Sequence, residues 1–334
     1  MEKVIAVVVT YNRQALLSEC IYALRNQTRR LDAILVVNNG STDNTNNWLV
    51  SQKDLFFITQ DNTGSGGGFN SGIEWAYKHG YSWIWCMDDD GYPKEDALEN
   101  LLNKDDGALK LFNCAVINKE DKKTFVWKTG NYKTICDVDK KLIKDVAHPF
   151  NGTLIHRNII ERVGTPKASL FLWGDETEYY YRIMIKNEIP VYTVTDSIHY
   201  HPAAGFTYKK DWDYKSTWKM YFYIRNRFQI HQSKFSGKLL AFLNYICFLC
   251  SFAGVILFYQ KTDKVKKMKF IFWPATDAFS NNFNVTPQLI LSRLNNEETI
   301  HLTEFLKLYI RNIRSIILTP FLLPRQRRII NMNA

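Results

Sequence analysis

Four apolar runs, each followed at once by polar residues, constrain this chain most: Val4-Ile-Ala-Val-Val-Val9, Ala33-Ile-Leu-Val-Val37, Leu55-Phe-Phe-Ile58 and Trp83-Ile-Trp-Cys-Met87. A strand apolar at nearly every position has no side for water and must be covered on both faces. Between the runs lie helical signals. Residues 13–26 space Leu16, Leu17, Cys20, Ile21 and Leu24 along one helix face, Ser41-Thr42-Asp43 opens a stretch toward Leu49, and Asn62-Thr-Gly-Ser-Gly-Gly-Gly-Phe69 leads into a helix through Trp75 and Tyr77. Strand and helix in alternation define an α/β domain with a Rossmann-like, doubly wound, mostly parallel sheet. Ligands of such sheets bind beyond the carboxyl ends of the strands, where Thr10, Asn39, Asn62 and Asp88 fall. Residues 107–156 read as mixed strands and turns. Residues 175–187 read as a helix stopped near Pro190, and Val191–Val194 as a short strand before His199-Tyr-His201-Pro202.

The fourth run delivers Asp88, Asp89 and Asp90 to one point. Adjacent carboxylates repel, and a divalent cation is the usual remedy. On an extended backbone Asp88 and Asp90 point to one side and Asp89 to the other. Such a strand end chelates a metal through Asp88 and Asp90, and offers Asp88 and Asp89 to the diphosphate or ribose of a nucleotide. The glycines at 66, 67 and 68 would let a backbone approach phosphate at a helix start. The bland alternative is a solvated turn before Pro93 whose aspartates cap a helix.

A second acidic group lies in Phe171-Leu-Trp173-Gly-Asp175-Glu176-Thr-Glu178. Asp175 with Glu178 fits a capping box, and Glu178 with Arg182 an i,i+4 pair. Those readings leave Glu176 without a structural task, which makes it the first candidate for general base toward an alcohol and Asp175 the second. His199 and His201 lie on an extended segment, and one of them is expected to face the site. His201 is the candidate metal ligand, and imidazole beside carboxylates suits Mn²⁺ better than Mg²⁺.

Charge divides the chain. Residues 1–200 carry 23 Lys and Arg against 26 Asp and Glu, and residues 201–334 carry 20 against 7. A basic tail seeks an anionic partner; its hydrophobicity favours a membrane surface over nucleic acid. Leu239–Tyr259 would span about 32 Å as a helix, enough to cross a bilayer. Lysines flank it on both sides (Lys234, Lys238; Lys261, Lys264, Lys266, Lys267), which suits a helix lying in the interface. A buried helix in a bundle or homo-oligomer is the alternative. Ile316–Leu323 with Arg325-Gln-Arg327-Arg328 forms a candidate second contact. No signal peptide pattern precedes Val4, so a cytoplasmic location at the inner face of the cell membrane is expected. The division falls near residue 205, with a catalytic domain over 1–205 and a helical, membrane-associating region over 206–334. Cys247-x-x-Cys250 reads as packing.

Val-Val-Thr10-Tyr-Asn-Arg13, Asn39-Gly-Ser-Thr-Asp43, the glycine loop, Asp88–Asp90 and Trp173-Gly-Asp-Glu together resemble family 2 glycosyltransferases, inverting enzymes with the GT-A fold. Within that family the combination is similar to the galactofuranosyl- and rhamnosyltransferase branch. The resemblance implies that Thr10 and Arg13 line the nucleotide pocket and that Asn39 sits near the base. It implies that Asp88 and Asp90 hold metal and diphosphate with His201 as a further ligand, and that Glu176 is the catalytic base. The chain departs from the family where Asn38 and Asn39 stand in place of an Asp, and where Glu rather than Asp stands at 176. The implied donor is a nucleotide sugar, first UDP-galactofuranose and otherwise dTDP-rhamnose or another UDP-hexose. The implied acceptor is a lipid-linked bacterial surface glycan such as an O-antigen or capsule. A nucleotidyltransferase and a non-catalytic glycan- or membrane-binding scaffold are the rival classes.

Overall fold

The computed structural model describes residues 2–203, 209–296 and 302–318. The four apolar runs form β1 (Val4–Thr10), β2 (Ala33–Asn38), β3 (Phe56–Thr59) and β4 (Trp83–Asp88), joined by α1 (Gln14–Arg25), α2 (Thr45–Ser51) and α3 (Gly64–Lys78). β1 pairs in parallel with β2 and β4, and β2 with β3. Core side chains lie on both faces of β1: Val4, Ala6 and Val8 join one cluster, Ile5, Val7 and Val9 the other. This is the double burial that an uninterrupted apolar strand demands.

Beyond β4 come β5 (Tyr92–Pro93), α4 (Ala97–Leu102), β6 (Leu111–Asn118), β7 (Thr124–Thr129), β8 (Tyr132–Thr134), β9 (Leu142–Lys144), β10 (Asn151–His156), α5 (Arg157–Val163), α6 (Asp175–Tyr181) and β11 (Val191–His201). The strand order is β3-β2-β1-β4-β10-β6-β11-β5. β10 runs antiparallel to β4 and β6, while β6 and β11 are parallel. The expected short strand at 191–194 is longer than its apolar part. An irregularity between Val194 and Ile198 absorbs Thr195-Asp196-Ser197, and the ladder resumes to His201. A bulge lets a strand survive a break in its alternation. The helix expected over 175–187 is regular only to Tyr181, and Arg182–Lys186 continue as a wider π turn.

Contacts divide the chain into Met1–Phe206 and Thr207–Ala334. The second unit contains α7 (Lys219–Lys234), α8 (Lys238–Tyr259), α9 (Lys264–Phe270), α10 (Phe272–Ser280), α11 (Pro287–Asn295) and α12 (Leu302–Leu318). Its core is aromatic: Tyr221, Phe222, Phe228, Phe242, Tyr245 and Phe279 are buried. Charges inside it are matched, as burial requires. Lys267 Nζ donates to Asp211 Oδ1 at 2.8 Å and to Gln260 Oε1 at 3.0 Å, and Tyr221 donates to Asp277 Oδ2 at 2.6 Å.

α8 is long and apolar enough to cross a membrane. It buries Phe242, Tyr245, Leu249, Phe252 and Ile256 and exposes Leu239, Leu240, Leu243, Leu257 and Phe258. One side is therefore committed to its own unit. Cys247 and Cys250, expected to pack, lie exposed on the other side as free thiols. Of the second contact expected from the sequence, residues 319–328 lie outside the described residues.

Candidate active site

β4 ends at Asp88, and Asp89-Asp90 turn away from the sheet. Alternation stops with the strand, so the three carboxylates are not dealt to opposite sides as the sequence suggests. Thr10, at the end of neighbouring β1, donates through Oγ1 to Asp89 Oδ2 at 2.7 Å. Arg13 Nη1 donates to Asp89 Oδ1 at 3.1 Å and to Asp90 Oδ2 at 2.8 Å. The structure thus corrects two expectations: Asp89 and Asp90 share one guanidinium, and part of the counter-charge comes from Arg13.

The three acids fare differently. Burial works against the charge of Asp90, yet His201 and Arg13 outweigh it and bring its carboxyl to about 2. Burial lifts Asp89 above the usual carboxylate range against the pull of Thr10 and Arg13. Asp88 is raised furthest in kind: burial, then the charges of Asp90 and Asp89, hold it well above the ordinary value, and the charge of Glu176 adds to them. Its backbone is fixed by Asp88 N donating to Phe150 O at 3.0 Å.

His201, on β11, places Nε2 3.3 Å from Asp90 Oδ1. Its Nδ1 lies 2.7 Å from the Pro202 carbonyl, which can only accept, so Nδ1 carries a proton. Nε2 and the carboxylate oxygen face each other at a distance that holds a proton or a cation between them. A histidine that donates its far nitrogen to a carbonyl while presenting the near one is the arrangement of a metal ligand. Asp88, Asp90 and His201 therefore suit a divalent cation, although among the described residues no three such side chains already form a ligand cluster. His199, two residues earlier on the same face of the strand, is fully buried. Burial lowers its imidazole to about 3, so it is neutral.

The glycine loop is reassigned. Gly64 begins α3, and Gly66, Gly67 and Gly68 are buried inside its first turns. A Cβ on Gly68 would stand 2.5 Å from Val9 Cγ1, and one on Gly66 3.0 Å from the Lys167 carbonyl. The glycines let the helix lie against β1 and the 167–175 loop. Three donors at the helix start are also taken: Gly64 N donates to Asn62 Oδ1 at 3.0 Å, Thr63 N to Asn39 Oδ1 at 3.2 Å and Gly66 N to Phe171 O at 3.0 Å. Asn39 completes its set by donating to Gly64 O at 2.8 Å. Asn62, Asn39 and Gly66 to Gly68 thus build a helix cap, not an open phosphate cradle. The neighbour Asn38 is fully buried, and its Nδ2 has no hydrogen-bond partner among the described residues.

The Trp173-Gly-Asp-Glu loop rests on that cap. Phe171 and Trp173 adopt left-handed φ of 66° and 56°, a cost met mostly where surrounding structure enforces it. Gly174, with φ 124°, caps α6, so the cap expected at Asp175 falls one residue earlier. Glu176, expected to lack a structural partner, accepts from Gly174 N at 3.1 Å and Thr177 Oγ1 at 3.3 Å. Glu178 is buried between Lys167 (3.1 Å) and Arg182 (3.2 Å). Asp175 is buried and accepts from Ser65 Oγ at 2.9 Å. Burial, then the neighbouring Glu176 carboxylate, hold it well above the ordinary range. Burial thus favours the protonated form of Asp175. The sequence gives no hint of Ser65 as its partner. It also gives none of Trp127 on β7, whose ring packs 4.9 Å from His201 and 5.3 Å from His148.

The arrangement is an acid cluster at parallel strand ends, with the Glu176 carboxylate, in the first turn of α6 behind a strained loop, close enough to act on Asp88. Residues 5–164 match the family model for glycosyl transferase family 2. Galactofuranosyltransferase GlfT1 of Mycobacterium tuberculosis is 30% identical over 222 residues, which cover 62% of this chain and 73% of that protein. The GalNAc(5)-diNAcBac-PP-undecaprenol beta-1,3-glucosyltransferase of Campylobacter jejuni is 31% identical over 127 residues, covering 36% of this chain and 40% of the relative. In fold the chain is similar to residues 1–349 of S. aureus TarS, with a TM-score of 0.55 and 14% identity over 94% of this chain and 90% of that one. The same TarS fragment in complex with UDP gives 0.54. This chain belongs to glycosyl transferase family 2 and is a glycosyltransferase of the GT-A fold.

Proposed function

We propose that this glycosyltransferase moves galactofuranose from UDP-galactofuranose to a hydroxyl of a lipid-linked glycan, with inversion at the anomeric carbon. The similarity to GlfT1 across most of both chains carries the choice of sugar. The glucosyltransferase relative, named for an undecaprenol-linked glycan, supports the lipid-linked acceptor and keeps another UDP-hexose as the second reading of the donor.

Asp88, Asp90 and His201 would hold Mn²⁺ or Mg²⁺, which when bound neutralises the departing diphosphate. Arg13 adds fixed positive charge at the same edge while keeping Asp89 and Asp90 in place. Glu176 takes the proton of the acceptor hydroxyl as its oxygen attacks; its reach to Asp88 through their mutual repulsion supports this role. Asp175, protonated and tied to Ser65, holds the base in position. The exposed apolar side of α8 and the basic second unit support peripheral docking at the inner face of the cell membrane, beside such an acceptor.

The test is release of nucleoside diphosphate from a panel of nucleotide sugars, with Mn²⁺ and with chelator. Glu176→Gln is expected to lower turnover by about 10²–10⁴ while UDP still binds. Near-normal turnover in that variant would remove Glu176 as the base, and preference for a donor other than UDP-galactofuranose would replace the sugar.

A further inference from the structure

Behind the acid cluster, across one strand, lies a groove of about 690 Å³ whose lining includes Glu19, Tyr22, Asn26, Tyr92 and Tyr200. That size falls in the range of roughly 300–1,000 Å³ common to small-ligand sites. α1 buries Leu17, Cys20, Ile21 and Leu24 against the sheet and so turns Glu19 and Tyr22 outward. Tyr22 is 71% exposed, which leaves its ring accessible to a ligand. Tyr92 on β5 stands opposite Tyr200 on β11 in the antiparallel ladder, and their rings lie 5.5 Å apart. Alternation along β11 sends Tyr200 to the face away from His199 and His201. β5 is the last strand of the sheet. Only that edge separates the groove from Asp90, two residues before Tyr92.

The chemistry of the lining selects its ligand. Tyrosine offers a flat π face and a hydroxyl on the same ring, which matches a sugar's C–H face and its rim of hydroxyls. Glu19 and Asn26 add planar acceptors and a donor. Among the described lining residues the one cation, Lys94, is paired with Asp96 at 3.0 Å. Three carboxylates, Glu19, Glu95 and Asp96, line the groove against that one lysine, and Lys122 lies over the Tyr200 ring at 5.7 Å outside the lining; the acidic lining disfavours phosphate, nucleic acid and anionic headgroups. A neutral, hydroxyl-rich chain is what remains.

We propose that the Tyr22–Tyr92–Tyr200 groove is a second saccharide site that grips sugars of the acceptor glycan a few units away from the one being extended. The chain would pass around the β5 edge, so that grip outside the reaction centre raises the local concentration of the acceptor end inside it. The proposal deepens the acceptor reading above and rests on it for the link to the reaction; the binding itself stands apart.

The experiment is calorimetric titration of the full chain with a β-linked galactofuranosyl hexasaccharide, maltohexaose and chitohexaose, with UDP titrated into the same samples. At least one hexasaccharide is expected to bind. Tyr22→Ala is expected to weaken it tenfold or more and Glu19→Gln several-fold, with melting temperature, UDP affinity and donor hydrolysis unchanged. Both side chains are exposed, so neither variant threatens the fold. Absence of binding by all three hexasaccharides, or equal binding by the variants, would overturn the proposal. Loss of UDP binding in the unmodified chain would instead fault the nucleotide-sugar reading and leave the groove standing.

Discussion

Two neighbouring carboxyls, Asp175 and Glu176, are indistinguishable in the sequence except by residue type; their surroundings separate them. Asp175 is buried on Ser65, and its carboxyl is held above the ordinary range by burial and by Glu176. The folded chain therefore keeps a proton there that the unfolded chain gives up near pH 4. Stability must fall as pH rises from that value toward the folded one. Asn carries no such proton. The melting temperature of Asp175→Asn relative to the unmodified chain is expected to climb between pH 4 and pH 8. A flat or falling difference would mean that the carboxyl is ionised when folded. The sequence names the acids, because three aspartates after an apolar strand have few other uses. It does not show who neutralises them. Arg13 reaches Asp89 and Asp90 only because β1 and β4 are neighbours in the sheet, a fact of topology with no local signature.

At the scale of elements the parallel βαβ series is legible, since runs apolar at every position admit little else. The glycine segment is not. A stretch of glycines looks the same whether its backbone faces a phosphate or a packed strand, and here the partner is β1. Gly68→Ala would set a Cβ 2.5 Å from Val9 Cγ1. Overpacking of that kind costs about 1–3 kcal/mol. Chemical denaturation should report that loss, whereas Gly254→Ala, with no atom within 4 Å of its Cβ, should show none of it. Equal midpoints for the two variants would dismiss close packing as the reason for the glycine. The mixed half of the sheet, β5 to β11, is readable only as strands and turns. Its order depends on long-range pairing, and Trp127 stayed hidden with it.

For the molecule as a whole, the contrast between a near-neutral first unit and a basic, aromatic second one is visible in composition alone. Which side of α8 is free is not, because the helix is apolar all round and only the packed unit tells its two sides apart. Vesicles containing anionic lipid are expected to bind the chain in sedimentation. Binding should weaken as salt rises and be lost when Leu243 and Phe258, both exposed, are replaced by Asp. Failure of the unmodified chain to sediment with them would refute interfacial docking.

Several bonds join the start of α3 to the segment before α6: the Phe171 carbonyl receives Gly66 N–H, Ser65 Oγ donates to Asp175, and Asn70 Nδ2 donates to Thr165 and Pro166. The segment bearing Glu176 is thereby latched to the central sheet through a helix end and cannot lift away like a hinged flap without fraying α3. Heat should accordingly abolish turnover and tertiary structure at a common midpoint, followed by activity and near-ultraviolet circular dichroism. Inactivation well below the melting transition would mean that the latch opens on its own.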